Sequence, residues 1–270
     1  MNYIKGSIIA FLTLAGAACG HGNDSGPTGP GSGSSRPPAR GYSGASVAEG
    51  RSEFRVFTAT GDISPTVAEF RAALGDPPNG GNPGPLTAGR REIKWDGAPA
   101  LMPGDFFNTN VKAGAIFTTD GTGFQNSASD FSEVNPAYAD DFNAFSAPKT
   151  FMPICSAELT MDYRVPGSDL RAATRGFGVV FSDVEREGAA SIKLFDAEGR
   201  SLGQYHAPVR TDADGFSFVG VVFDSPIVAE VHIQSGQRAL GADVQDLSEG
   251  GNQDLVVMDD YLYGEPQEIK

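Results

Sequence analysis

The sequence predicts an all-β protein: an antiparallel β-sandwich, jelly-roll-like and carbohydrate-binding-module-like, with one short helix. Three observations predict it. Short runs of strand character recur through the second half, separated by turn signals at the spacing of sandwich strands. Only one segment has clear helical periodicity, and there is no strand–helix–strand rhythm of the kind that builds a parallel sheet. Glycine (35) and proline (18) are both abundant among the 270 residues, as a fold with many turns requires.

The helix is "SPTVAEFRAALG", with Ser64 as N-cap, Pro65 at the first helical position and Gly75 as the stop. Val67, Phe70 and Leu74 recur at helical spacing and define its apolar face. "PPNGGNPGPL" follows as a loop, and then "GRREIKWDGAP" reads as a strand in which Ile93 and Trp95 alternate with Glu92 and Lys94. In "KAGAIFTTDGTGFQNS" the Asp120-Gly121 pair between two short β-like runs predicts a hairpin. Residues 126–150 are polar and irregular, with several aromatics.

The second half is more regular. "SAELTMDYRVP" alternates strictly, with Leu159, Met161 and Tyr163 on one face and Glu158, Thr160 and Asp162 on the other, as a half-buried strand does. "RGFGVVFSDV" is a further strand, "SIKLFDAEGRSLGQYHAP" a hairpin turning at Asp196–Gly199, and "GFSFVGVVFD", "AEVHIQSG" and "DLVVMDDYLYG" complete the series. The expected organisation is therefore a signal peptide at 1–19, a Gly/Ser/Pro tether at 20–50 and one β-sandwich domain at 51–270.

The first residues carry Lys5, an apolar run from Ile8 to Ala15 and then small residues, the pattern of an export signal. Two endings compete: ordinary cleavage after Ala17, or a lipobox-like "LAGAAC" with Cys19 as the lipid-accepting residue. The tether is too poor in large apolar residues to offset its ordering entropy, and it suits a leash from a membrane lipid. The expected location is the bacterial cell envelope through a lipid anchor, with secretion as the alternative. If Cys19 is acylated or removed, Cys155 remains as a single thiol, expected to be buried and inert. A net charge of −14 repels phosphate backbones, so nucleic acid is not an expected partner.

"GFGVVFSDV", "IKLFDAEGRSLGQY", "FSFVGVVFD" and "VVMDDYLYGE", together with "FRAALGDPPNGGNPGPLTAGRREIKWDG" and "PGDFFN", resemble an uncharacterised family of exported bacterial jelly-roll proteins associated with PEP-CTERM sorting tags. The resemblance implies a secreted sandwich and assigns no activity. The final "EPQEIK" has no hydrophobic tail of the tag type, so any anchor is expected at Cys19.

"VVMDDYLYG" poses the chemical question, because a strand that buries its side chains carries two adjacent carboxylates. Strict alternation would send Asp260 inward and Asp259 outward. An inward carboxylate needs a cation, an arginine or backbone donors. Calcium is the candidate cofactor, with Asp183, Glu185, Asp259 and Asp260 as candidate ligands. "DAEG" (196–199) and "TDADG" (211–215) are fragments of calcium-loop character that read as turns. Tyr261 and Tyr263 are the candidates for stacking on sugar rings, whereas Trp95 reads as core. No H-x-x-x-H pair, nucleophile elbow or Cys–His arrangement is present, so no catalytic residue is assigned. The function expected is a non-enzymatic binding module for glycan or another surface component. A polysaccharide hydrolase using paired carboxylates and a purely structural surface protein are the alternatives.

Overall fold

The computed structural model describes residues 53–211 and 215–270. The expected signal, tether and Cys19, and the middle of the 211–215 turn, lie outside the described residues. In chain order the elements are β1 (Phe54–Gly61), α1 (Ser64–Leu74), β2 (Arg90–Ile93), β3 (Leu101–Met102), α2 (Phe106–Thr109), β4 (Ala115–Thr118), β5 (Gly123–Ser127), a 3₁₀ turn (Pro136–Asp140), β6 (Thr150–Ile154) and β7 (Glu158–Tyr163). They continue with β8 (Ala172–Ala173), β9 (Gly176–Ser182), β10 (Ala190–Phe195), β11 (Ser201–His206), β12 (Phe216–Phe223), β13 (Glu230–Ser235), β14 (Val257–Gly264) and β15 (Gln267–Glu268).

Two antiparallel sheets pack as a sandwich. The larger has eight strands, ordered β1-β12-β9-β14-β6-β5-β3 with β2 also on β14; the smaller has five, ordered β11-β10-β13-β7-β4. Strands from both halves of the sequence lie side by side in each sheet. The core between them is aromatic. Trp95 stacks on Phe151 (3.8 Å, 3°), while Phe117 of the smaller sheet meets Tyr261 of the larger at 6.0 Å.

The two sheets differ in what covers their outer faces. Helix α1 lies on the outside of the larger sheet, and Val67, Phe70 and Leu74 form a second core with Val180, Phe218, Val222 and Leu262. Phe70 fits because Gly178 and Gly220 are directly paired across β9 and β12. A Cβ on either glycine would come within 2.6 Å of the Phe70 ring. With both faces covered, β9 and β14 are buried at every residue and lose the alternation of a half-exposed strand. Among the described residues the smaller sheet has no such cover, and β7 and β13 alternate.

The structure corrects four local expectations. Ser64 is the first helical residue, not the cap; Ile63 is the N-cap, and the Asp62 side chain accepts from the Ser64 N–H (3.1 Å). β4 and β5 do not form a hairpin: β4 pairs with β7 in the smaller sheet, and β5 pairs with β6 and β3 in the larger. Asp120-Gly121 thus carries the chain from one sheet to the other. β2 ends at Ile93, and Trp95 enters the core from a left-handed residue (φ 63°). Cys155 is half-buried and disulfide-bonded, not an inert thiol. The 191–206 hairpin forms as expected. In its turn, Asp196 Oδ1 accepts the N–H groups of Glu198 (3.0 Å) and Arg200 (2.8 Å).

Candidate functional site

Asp259 and Asp260 are both buried. The pairing of β14 with β9 slips between Met258, opposite Phe181, and Tyr261, opposite Val179. Two β14 residues therefore stand where β9 supplies only Val180. This is a β-bulge, which breaks the strict alternation that sequence reading assumes. On its other side, β14 pairs with β6 at Met258 and with β2 from Tyr261 onward, so the bulge marks the change of neighbour. The Trp95 indole N–H donates to the Asp259 carbonyl at 2.9 Å.

Both carboxylates meet Ser146. The Ser146 N–H donates to Asp259 Oδ2 at 2.9 Å, and its hydroxyl donates to Asp260 Oδ1. Arg71, on α1, donates to Asp260 Oδ2 at 3.2 Å and also pairs with Glu92. Burial and the neighbouring Asp260 charge push Asp259 up to about 8, while burial also raises Asp260 against its serine and cationic partners. Arginine and serine are thus the match for the buried pair, which corrects the expectation that alternation separates them.

Tyr261 and Tyr263 are equally buried, so neither offers a ring face to a ligand. Tyr261 packs against Trp95 and Phe177, and the Tyr263 hydroxyl donates to the Ala113 carbonyl. The expectation of exposed terminal tyrosines fails because both side chains point into the inter-sheet core.

Asp183 and Glu185 come together at the end of β9, with a partner the sequence reading missed. Asp183, Glu185 and Asp246 each offer a carboxylate oxygen, all within 4.8 Å of one another, and such a group can hold a metal ion. Asp259 and Asp260 are not members of it. Asp246 comes from the long connection between β13 and β14. Its Oδ1 accepts from the Leu255 N–H (2.8 Å), and its Oδ2 accepts from the Ser248 N–H (2.7 Å). The density of acids in "GADVQDLSEGGNQD" was the available signal, but no spacing rule links that loop to residue 183.

A different set of residues lies on the uncovered face of the smaller sheet. Gln204 of β11 pairs with Lys193 of β10, Lys193 with His232 of β13, His232 with Thr160 of β7, and Thr160 with Thr118 of β4. All five line one shallow depression of about 250 Å³, together with Ser191, Glu158 and Gln234 among others. The row crosses the whole sheet at the strand separation, about 4.8 Å per step. Beside it the half-buried Phe195 ring lies under Lys193 Nζ (5.1 Å) and against His232 (4.6 Å between rings), and His232 Nε2 meets Glu230 at 2.6 Å. The alternation in "AELTMDY" and "EVHIQS" already marked two of these strands as having a polar outward face. Their alignment into one row depends on register.

No family model and no curated protein matches the chain. Among solved structures it is similar to TmCBM61 in complex with β-1,4-galactotriose, at 11% identity over 60% of this chain and 95% of that one, with a TM-score of 0.24. It is also similar to the enzymatically active domain of bacteriophage CBA120 tailspike protein 4, at 17% identity over 49% of this chain and 20% of that one (TM-score 0.19). A third is an arabinose-bound MgGH51 α-L-arabinofuranosidase, at 11% identity over 56% of this chain and 24% of that one (TM-score 0.20). Scores of this size carry no argument about function. The class is defined by the chain's own topology, a two-sheet antiparallel β-sandwich with one outer face covered by a helix and the other open.

Proposed function

We propose that the protein is a glycan-binding module and that the open face of the smaller sheet is its binding surface. The observation that supports this reading is the cross-strand row Gln204–Lys193–His232–Thr160–Thr118, set in one depression. It offers amide, ammonium, imidazole and hydroxyl groups at regular spacing, with few apolar groups between them. A ligand dense in hydroxyls can exchange hydrogen bonds with every member, whereas an apolar ligand would strand them.

A glycan array followed by titration calorimetry tests the proposal. His232→Ala and Gln204→Ala are each expected to weaken binding by about two- to tenfold, the worth of one net hydrogen bond. The combined variant is expected to lose measurable binding without a change in melting temperature, because both side chains are exposed. Unchanged affinity in the combined variant would refute the assignment. Release of sugar product by the parent protein would favour the hydrolase reading.

We also propose that the protein is exported. The disulfide at Cys155 supports this, since such bonds persist in oxidising compartments. In the secreted form the mature protein is expected to begin at Ala18. A diacylglyceryl mass on Cys19 would overturn the secreted reading and establish the anchor.

A further inference from the structure

The end of β9 concentrates negative charge that the cations among the described residues do not match. Arg210 is the arginine that reaches both Asp183 (Nε to Oδ1, 2.5 Å) and Glu185 (Nη2 to Oε1, 2.7 Å). Against that single guanidinium stand Asp183, Glu185 and Asp246, with Asp254 beside them. Asp254 Oδ2 accepts the N–H groups of Glu185 (2.9 Å) and Arg186 (2.5 Å). Three other carboxylate oxygens at this end have no donor. Asp183 Oδ2, Glu185 Oε2 and Asp254 Oδ1 are all buried and accept no hydrogen bond. Asp183 is only 1% exposed and Asp254 is fully buried. A buried carboxylate oxygen with no donor is costly, and a folded protein rarely accumulates three in one place.

We infer that Asp183, Glu185 and Asp246 form a calcium site, with Asp254 flanking it, that ties the end of β9 to the connection between β13 and β14. The donors are hard oxygens only, with no nitrogen or sulfur ligand, which disfavours zinc and copper. Three or more carboxylates from separate segments suit calcium, which takes six to eight oxygens in flexible geometry. Magnesium, which keeps its waters and uses one or two carboxylates, is a poorer match. Its three ligands do not include Asp259 or Asp260, and none of them lines the depression on the smaller sheet.

The test is thermal unfolding of the full mature chain after EDTA treatment, with calcium or magnesium added back, together with calorimetric titration of the metal. At a hundredfold excess over the dissociation constant, calcium is expected to raise the melting temperature by about 5–10 °C, with one ion bound. Asp183→Asn is expected to melt higher than the parent in EDTA, since it removes a poorly compensated charge, and to lose the calcium increment. Glu185→Gln, at a half-buried position, is expected to shrink the increment as well, and Asp259→Asn is expected to keep it. Equal melting temperatures of the parent in calcium and EDTA would overturn the inference. A full increment retained by both Asp183→Asn and Glu185→Gln, or an equal increment with magnesium, would do the same.

Discussion

Arg91→Ala is expected to destabilise the protein by about 3–5 kcal/mol, the cost of breaking a buried ion pair from one side. Arg91 is completely buried, and each of its hydrogen bonds has a defined acceptor. Its Nε and Nη2 donate to the two oxygens of Glu265, both at 2.8 Å. Its Nη1 donates to the carbonyls of Gly80 (2.8 Å), Asn82 (2.8 Å) and Lys112 (3.0 Å). Glu265 also accepts from Asn79 Nδ2 (2.7 Å) and the Leu86 N–H (3.0 Å), so the Gly/Pro-rich loop after α1 is wrapped around this one pair. Truncating the arginine leaves the buried Glu265 carboxylate without its counter-charge and three carbonyls without their arginine donor. Glu265→Gln keeps an acceptor and the shape, so its expected cost is smaller. For a domain of this size the alanine variant should lose roughly 6–20 °C in melting temperature. A change within about 0.5 kcal/mol by urea titration, the range of ordinary surface substitutions, would show that the pair does not hold the loop.

Asp259→Asn is expected to stabilise the protein at pH 8 and to change little at pH 4. Burial and the adjacent Asp260 hold Asp259 up at about 8 in the folded state. In the unfolded chain it titrates near the ordinary carboxylate value of about 3.9. A group whose folded pKa is raised binds more protons in the folded state between those two values. Its contribution is therefore fully present below about pH 4 and is lost as pH rises toward 8. The groups facing the pair are Ser146, Arg71, Lys94 and Glu92, and Glu92 is itself held below its ordinary value by Arg90 and Arg71, although burial opposes this. Asparagine can accept from the Ser146 N–H with its carbonyl and donate to Asp260 with its amide, so it replaces the protonated acid at every pH. The expected gain at pH 8 is of the order of a few kcal/mol, and the parent's decline in stability from pH 4 to 8 should flatten in the variant. Parallel stability-versus-pH curves for parent and variant would mean that Asp259 is ionised in the folded protein and that Arg71 and Ser146 carry both charges.

The helix and the regular strands of the second half were legible because each obeys a local period. Val67, Phe70 and Leu74 mark one helical face, and Leu159, Met161 and Tyr163 mark one side of a strand; tertiary packing keeps all six buried. The turn at Asp196–Gly199 was likewise local, since an aspartate side chain satisfies nearby backbone N–H groups wherever the turn is placed. Arg91 was within reach of the same reasoning, because it stands two residues before Ile93 and so shares its buried side. It escaped notice because an arginine is rarely fully buried, and the loop carbonyls that make burial tolerable come from distant residues.

What the sequence by itself determined was the two-sheet sandwich, its single substantial helix and the polar outward sides of β7 and β13, all set by side-chain period and turn chemistry. Only the tertiary structure decided that β14 lies inside the larger sheet with its inner face against the smaller one, which buried Tyr261 and Tyr263. It also decided where β14 bulges, which brought Asp259 and Asp260 to one serine. Finally, it decided which carboxylates meet: Asp183 and Glu185 found Asp246 across a loop instead of the aspartates of β14. The physical reason is the same each time. Alternation fixes only the side of its own strand to which a residue points, whereas the charge, covering element or cation opposite it is supplied by chain segments tens to hundreds of residues away.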